Sequence, residues 1–256
     1  MEKAPQRLAA FVPGAIWLVQ YPVRYAGARF FARMTIMRLS DGRLILHSPC
    51  AIDPALKAEI DALGPVAYLV APGNFHHLHM AAARAAYPEA EALICPGVAR
   101  KNPALSDATP LGDTPPAGWN GEIAQVLVDS NRIIREVVFL HRASRTLIVT
   151  DLIELIGDET QGVDRVLKFW WKAVTFMWNK PRPAPEYTLG WRDKRAAARS
   201  LRRILDWEFD KIVLAHGDLV TEHAKAVAQG AWARVLRHWP AGRNPRGFRA
   251  IFRRGK

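Results

Sequence analysis

Short apolar runs, rather than helical periodicity, open the chain. Segments 15–21 (AIWLVQY), 34–39 (MTIMRL) and 43–47 (RLILH) read as strands, with Asp41-Gly42 as a two-residue hairpin turn between the last two. The stretch 21–31 (YPVRYAGARFF) reads as an aromatic, basic link packed between two strands, where it could line a pocket. Proline cannot donate to a ladder, so Pro49 takes the chain out of the sheet just after His47. Asp53-Pro54 has the form of a helix cap followed by a first turn, and Gly64 stops that helix after Leu63. A strand at 66–70, a helix at 78–87 and a strand at 91–95 follow, and this alternation predicts a layered α/β architecture.

Segment 96–121 is rich in Pro, Gly, Asn, Asp and Thr and reads as a long loop with a short helix at 98–101. Three strands are predicted next, at 123–128, 135–140 and 146–150, the last two joined by a turn at Arg142-Ala143-Ser144. Segment 162–178 reads as one aromatic helix. Its rings are expected to pack on the core and on a partner subunit or the preceding loop, with a membrane-surface role as the alternative because Lys168 and Lys172 flank them. A proline-rich link at 181–185, a basic helix at 192–207, a strand at 211–215 and a helix at 222–239 complete the pattern.

With 256 residues, half of them apolar, the chain can bury a full core. We expect one domain over 1–240 followed by a basic tail over 241–256. Cys50 and Cys95 lie in apolar strand-like segments without a CxxC partner, which predicts buried thiols rather than a disulfide framework. No signal peptide or spanning segment is evident, so a cytoplasmic location is expected. The net charge of +12 is uneven: residues 161–256 carry 21 Lys and Arg against 8 Asp and Glu, while the first 160 are close to neutral. Such a field favours anionic partners in general. The tail, with Arg243, Arg246, Arg249, Arg253 and Arg254, is expected to bind anionic surfaces weakly.

The chemistry concentrates at strand ends. Leu46-His47, Val70 to His77, Thr150-Asp151 and Ala215-His216 each place a ligand-type residue directly after an apolar strand, and His76, His77 and His79 crowd three of the eight histidines into one loop. In layered folds such ends gather ligands, because a rigid sheet holds side chains that still face solvent. Three histidines and one aspartate would make a shell for a transition metal.

The order of these pieces resembles the metallo-β-lactamase-like superfamily. In that pattern a DTG-like strand end precedes a THxHxDH loop, and a TGD-like and a PGHG-like strand end follow; here the counterparts are His47-Ser48-Pro49, 71–77, Thr150-Asp151-Leu152 and Ala215-His216-Gly217. The resemblance covers about residues 10–235 and implies a four-layer αββα sandwich, α/β (α+β) in class. It puts Pro72 and Asn74 at the histidines of the family's first metal position, with Asn131 and Arg132 near a further one, so that position is expected to be lost. It puts His76, His77, Asp151 and His216 at the second, implying a single metal with one changed ligand. His47 stands where the family has an aspartate that supports the ligands, and is expected to do likewise or to act as an acid/base, with direct contact to the metal as the alternative. His79, His141, His223 and His238 have no motif behind them.

The resulting expectation is a metal-dependent hydrolase-like protein. One Zn, Fe or Mn would activate water, with Asp151 or Asp218 as proton acceptor, on a small-molecule substrate for which an anion is one candidate. A mononuclear non-haem iron redox protein is the second reading. A non-catalytic scaffold binding an anionic partner through the basic last third is the third, and homo-oligomerisation is left open.

Overall fold

The computed structural model describes residues 8–238. One sheet contains, in order across it, β1 (Leu8–Val12), β2 (Ile16–Tyr25), β3 (Ala28–Arg38), β4 (Leu44–His47), β5 (Val66–Ala71), β6 (Glu91–Ile94) and β7 (Thr109–Pro110). The other is built from β8 (Ile123–Val128), β9 (Glu136–His141), β10 (Thr146–Val149) and β11 (Lys211–Leu214), in the order β11-β10-β9-β8. The helices are α1 (Pro54–Asp61), α2 (Met80–Ala86), α3 (Val98–Lys101), α4 (Arg165–Phe169), α5 (Pro185–Gly190), α6 (Lys194–Leu205) and α7 (Ala224–Leu236). β1 to β4 pair antiparallel; β4, β5 and β6 run parallel because α1 and α2 carry the chain back between them.

Four layers result. Ile36, Leu46 and Leu69 of the first sheet share a core with Phe139, Ile148 and Val213 of the second, and Leu56 and Ile60 of α1 with Met80 and Ala83 of α2 join the same cluster. The alternate residues of the second sheet, Val138, Leu140, Leu147, Val149 and Leu214, meet α6 and α7. In α6 this follows from spacing: Ala197, Ala198, Leu201, Ile204 and Leu205 are buried on one face, and Arg195, Arg199, Arg202 and Arg203 are among the remaining positions. Trp232 of α7 is fully buried and its Nε1 donates to the Leu152 carbonyl at 3.0 Å. The αββα sandwich implied by the resemblance, and the layered architecture predicted by the strand pattern, are therefore what is observed.

Three local readings need correction. The supposed link 21–31 is the far half of a long hairpin: β2 and β3 pair as far as Tyr25 and Ala28, around a turn at Ala26-Gly27 with φ of 48° and 82°. Two positive φ values are what a tight hairpin turn needs, and alanine in place of asparagine or aspartate at the first of them hides the turn in the sequence. The aromatic helix is short. α4, capped by the Asp164 carboxylate accepting from the Leu167 N–H, passes into a π-helical turn at Trp170–Val174, and of this whole segment only Leu167 is buried. Phe169, Trp170, Val174 and Phe176 are exposed, whereas Trp171 and Trp178 pack against the small buried cluster of Ala28, Ile156 and Leu167, so the expected core packing is present only in part. The N–H groups of Met177 and Trp178 turn back onto the Trp171 carbonyl and end the helix there. Finally, the proline-rich link runs directly into α5, whose first residue is Pro185.

The basic tail and Trp239 lie outside the described residues. Among the described residues no helix is long and apolar enough to cross a membrane.

Candidate metal centre

Parallel pairing aligns the ends of β10 and β11, with Val149 opposite Leu214, so Asp151 and His216 each stand two residues past a matched pair. The loop after β5 brings His76 to the same place. One ligand atom from each of His76, Asp151 and His216 lies within 4.8 Å of the others, the one such group of His, Cys, Asp or Glu among the described residues. Asp151 Oδ1 is 3.2 Å from His76 Nε2 and 3.5 Å from His216 Nε2, and the two rings are 5.2 Å apart. All three residues are buried.

The far nitrogen of each ring is occupied, which fixes the near one. His216 Nδ1 donates to the Phe31 carbonyl at 3.3 Å, and His76 Nδ1 is 2.9 Å from Ser48 Oγ. Both Nε2 atoms therefore turn inward, in the manner of metal-binding imidazoles held by a partner on the other nitrogen. Behind His216, the buried Arg33 guanidinium donates to the carbonyls of Leu214 and Gly217 and braces the end of β11. Behind Asp151, the Glu136 carboxylate accepts from the N–H groups of Thr150, Asp151 and Leu152 at 2.6, 2.9 and 2.9 Å. A single side chain thereby satisfies three backbone donors as the strand ends.

Burial pushes the His76 imidazole down, but the adjacent Asp151 carboxylate and its hydrogen bond outweigh this and leave it above the ordinary histidine value. Burial likewise pushes Asp151 up, yet His76 and then His216 hold it well below the usual carboxylate range. Two imidazole nitrogens and a carboxylate oxygen, all Lewis bases, converge on one buried point. Protons link these groups in the metal-free chain, and a divalent ion fits the same donors.

The other residues singled out in the sequence lie elsewhere. His77 diverges from its neighbour; it is half-buried, and burial followed by the charge of Lys101 lowers its pKa. Asp218 accepts a hydrogen bond from Thr160 Oγ1 at 2.9 Å, anchoring the 157–160 turn, and is not on the cavity wall described below. Asn74 is structural: its Nδ2 donates to the Ile133 carbonyl, its Oδ1 accepts from the Arg135 N–H, and with the Pro72 carbonyl accepting from the Val137 N–H it ties the histidine loop to β9. Asn131 brackets the chain in the same way, bonding to Tyr187, Ile133 and Ile134. Side chains that could have made a further metal position thus hold backbone instead. His141 closes its own turn through Ser144 and reaches the Arg38 carbonyl.

His47 is paired within the sheet opposite Thr35 and Val70, is fully buried with its ring edge-on to Phe139, and finds no hydrogen-bond partner at either nitrogen. Being off the cavity wall, it cannot exchange protons with a substrate. Burial, then the nearby His76, lowers its pKa from 6.5 to about 3. Between those values the unfolded chain binds a proton that the folded chain refuses, so stability is lost as pH falls below 6.5. At pH 5 the loss from this residue is about 2 kcal/mol. His47→Leu is expected to remove that part of the acid sensitivity, read as the change in urea-unfolding free energy between pH 7.5 and 5. An unchanged loss in the variant would contradict it.

Above the cluster lies a cavity of about 300 Å³ whose wall includes His76, Asp151 and His216. The β2–β3 hairpin forms one side through Tyr21, Tyr25 and Phe30, and Trp170 and Trp171 form another. Glu154, Glu136 and Ser48 were not singled out in the sequence. A lone glutamate opening the apolar strand β9 was the visible signal for Glu136; nothing local marks the other two.

No protein-family model and no curated relative matches the sequence. Solved structures do match along nearly the whole chain. A metallo-β-lactamase from Pseudomonas aeruginosa in a mono-zinc form shares 14% identity and a TM-score of 0.57, covering 92% of this chain and 99% of its own. A metallo-β-lactamase from Pontibacter korlensis shares 13% and 0.58, covering 90% and 98%. One from Erythrobacter litoralis shares 14% and 0.55, covering 90% and 94%. Identity this low speaks for architecture rather than activity. The two stacked sheets and their outer helices are those of a protein with the metallo-β-lactamase fold.

Proposed function

We propose that the chain is a metal-dependent hydrolase-like protein in which His76, Asp151 and His216 hold one divalent transition metal beneath a small-molecule cavity. The observation carrying this reading is the convergence of His76 Nε2, His216 Nε2 and Asp151 Oδ1 on one buried point that opens onto the cavity. A bound divalent ion supplies a Lewis acid that lowers the pKa of a coordinated water from roughly 16 to about 7. The chain's own residues do the remainder. Ser48 and the Phe31 carbonyl orient the imidazoles, Asp151 accepts the proton from water, and the aromatic wall keeps bulk water from the reacting bond. Asp218 and His47 take no part.

The donor set also favours a second reading. Two histidines and one carboxylate with open positions suit a zinc hydrolase and equally a mononuclear non-haem iron centre. Purified protein reconstituted anaerobically with Zn, Fe(II) or Mn and assayed for metal content separates the cases. Zinc near one per chain, with turnover of small ester or lactam chromogens, supports the hydrolase. Iron retention with oxygen consumption supports the redox centre, and failure to hold any of the three leaves a non-catalytic scaffold. Metal must displace protons from the imidazoles, so affinity is expected to fall on acidification. The decline begins above pH 6.5, the ordinary histidine value, because His76 is raised above it.

A further inference from the structure

Glu154 is a buried carboxylate on the wall of the cavity, 6% exposed, and its Oε2 has no hydrogen-bond partner among the described residues. Its backbone is fixed by a bridge to Arg182, with the Glu154 N–H donating to the Arg182 carbonyl at 2.7 Å and the Arg182 N–H returning to Glu154 at 3.1 Å. That arginine does not neutralise it, since the guanidinium reaches instead to the Gly230 carbonyl at 3.3 Å. A second carboxylate, Glu186, lines the same cavity and accepts from the Tyr25 hydroxyl at 3.0 Å. Among the described residues, Arg24 is the one lysine or arginine on the wall. Around these groups stand the faces and edges of Tyr25, Phe30, Trp170 and Trp171.

Burial, then the charges of Asp151 and Glu186, push the Glu154 carboxyl well above its ordinary range, so in the empty cavity it holds a proton that a cationic partner would displace, and aromatic rings attract the same partner through their quadrupoles. We infer that the cavity recognises a substrate with an apolar body and a protonated amine, the ammonium group pairing with Glu154 and the body lying against Trp170, Trp171 and Phe30. The inference rests on the reading of this cavity as the substrate site of the hydrolase. It departs from the anionic substrate that the net charge of +12 suggests, because among the described residues the cavity wall bears Asp151, Glu154 and Glu186 against one arginine. With Asp151 committed to the metal, Glu154 is the acidic group left to bind the amine. The amine and the metal then engage opposite ends of one ligand, which sets the bond to be cleaved between them.

The probe is phenethylamine, compared with the uncharged 2-phenylethanol and the anionic 3-phenylpropanoate, each titrated by tryptophan fluorescence and calorimetry. Both metal-loaded and chelator-stripped protein are used, with metal content measured on the same samples. Phenethylamine is expected to bind at least about tenfold more tightly than either analogue, and Glu154→Gln to remove that preference while leaving 2-phenylethanol binding unchanged. Glu186→Gln, at a half-buried position, is expected to weaken the amine by a smaller factor. No binding of the amine, equal binding of the three compounds, tighter binding of the acid, or a folded Glu154→Gln protein with its preference intact overturns the proposal. Amine selectivity in a chain that holds no metal would instead remove the hydrolase reading and leave the cation site standing. A chain that holds metal but shows no selectivity does the reverse.

Discussion

Alanine at position 151 is expected to weaken metal binding by about a hundredfold or more while the sandwich stays folded. Asp151 is the one anionic member of the cluster, and its Oδ1 faces both imidazole nitrogens. Without it two neutral rings remain at a buried point that no other carboxylate of the group can reach. Loss of a group that only supports a ligand already lowers affinity about 10- to 100-fold, and loss of a ligand exceeds that. The fold survives because the N–H of residue 151 still donates to Glu136, an interaction that does not involve the side chain being removed. His216→Ala is expected to act similarly. His77→Ala is expected to retain metal, although the HxHxDH-like spacing made His77 a ligand, because its ring nitrogens are not among the converging ligand atoms. Competition with a chromogenic chelator, alongside near-ultraviolet circular dichroism, measures both. Metal affinity within threefold of wild type in a folded Asp151→Ala protein, or parallel losses in His77→Ala and His216→Ala, would show that the cluster is not the binding site.

The contrast between His76 and His77 marks where the sequence stops being informative. Apolar runs ending in Asp151 and His216 put those residues at strand ends, where the structure has them, because a strand's end is a local property and two parallel neighbours share it. Which of two adjacent histidines turns inward depends on the path of an irregular loop, and that path is set by Asn74 and Pro72 bonding to a strand some sixty residues later. His47 was misjudged for a related reason. Its position at the end of β4 was legible, but the packing of Phe139 from the opposite sheet, which closes it off, was not. The same holds for the cavity. Tyr25 and Phe30 could be seen as candidates for a pocket wall, but the turn at Ala26-Gly27 that projects them beyond the sheet carries no turn-forming sequence at its first residue. Glu154 could not be found from spacing at all, since its significance is the absence of a partner. The layered fold, by contrast, followed from the alternation of strand and helix patterns, which survives errors of several residues at element ends.

Glu136 provides the other large effect. Replacing it with alanine removes the acceptor for three buried N–H groups, those of Thr150, Asp151 and Leu152. Each buried donor left unsatisfied costs about 1–3 kcal/mol, so destabilisation of at least about 3 kcal/mol is expected, together with weaker metal binding because the end of β10 is released. Glutamine should fall between alanine and the wild type: its oxygen can accept on one side, but its amide NH2 then faces backbone N–H on the other. The pH dependence has a definite sign. Burial, then the charge of Asp151, raises the Glu136 carboxyl from 4.5 to about 7, against the opposing Thr150 N–H. In metal-free protein the folded state therefore holds a proton between pH 4.5 and 7 that the unfolded state releases. The stability this contributes is complete below pH 4.5 and is lost as pH rises through 7. The wild-type advantage over Glu136→Gln is expected to be larger at pH 5 than at pH 8, and taking the difference between the two proteins cancels the opposite trend from His47. Urea unfolding of chelator-stripped wild type and both variants at the two pH values measures this. A Glu136→Ala protein within 1 kcal/mol of wild type would mean that the three N–H groups find other acceptors, and an advantage that grows with pH would mean that Glu136 is held as the carboxylate throughout.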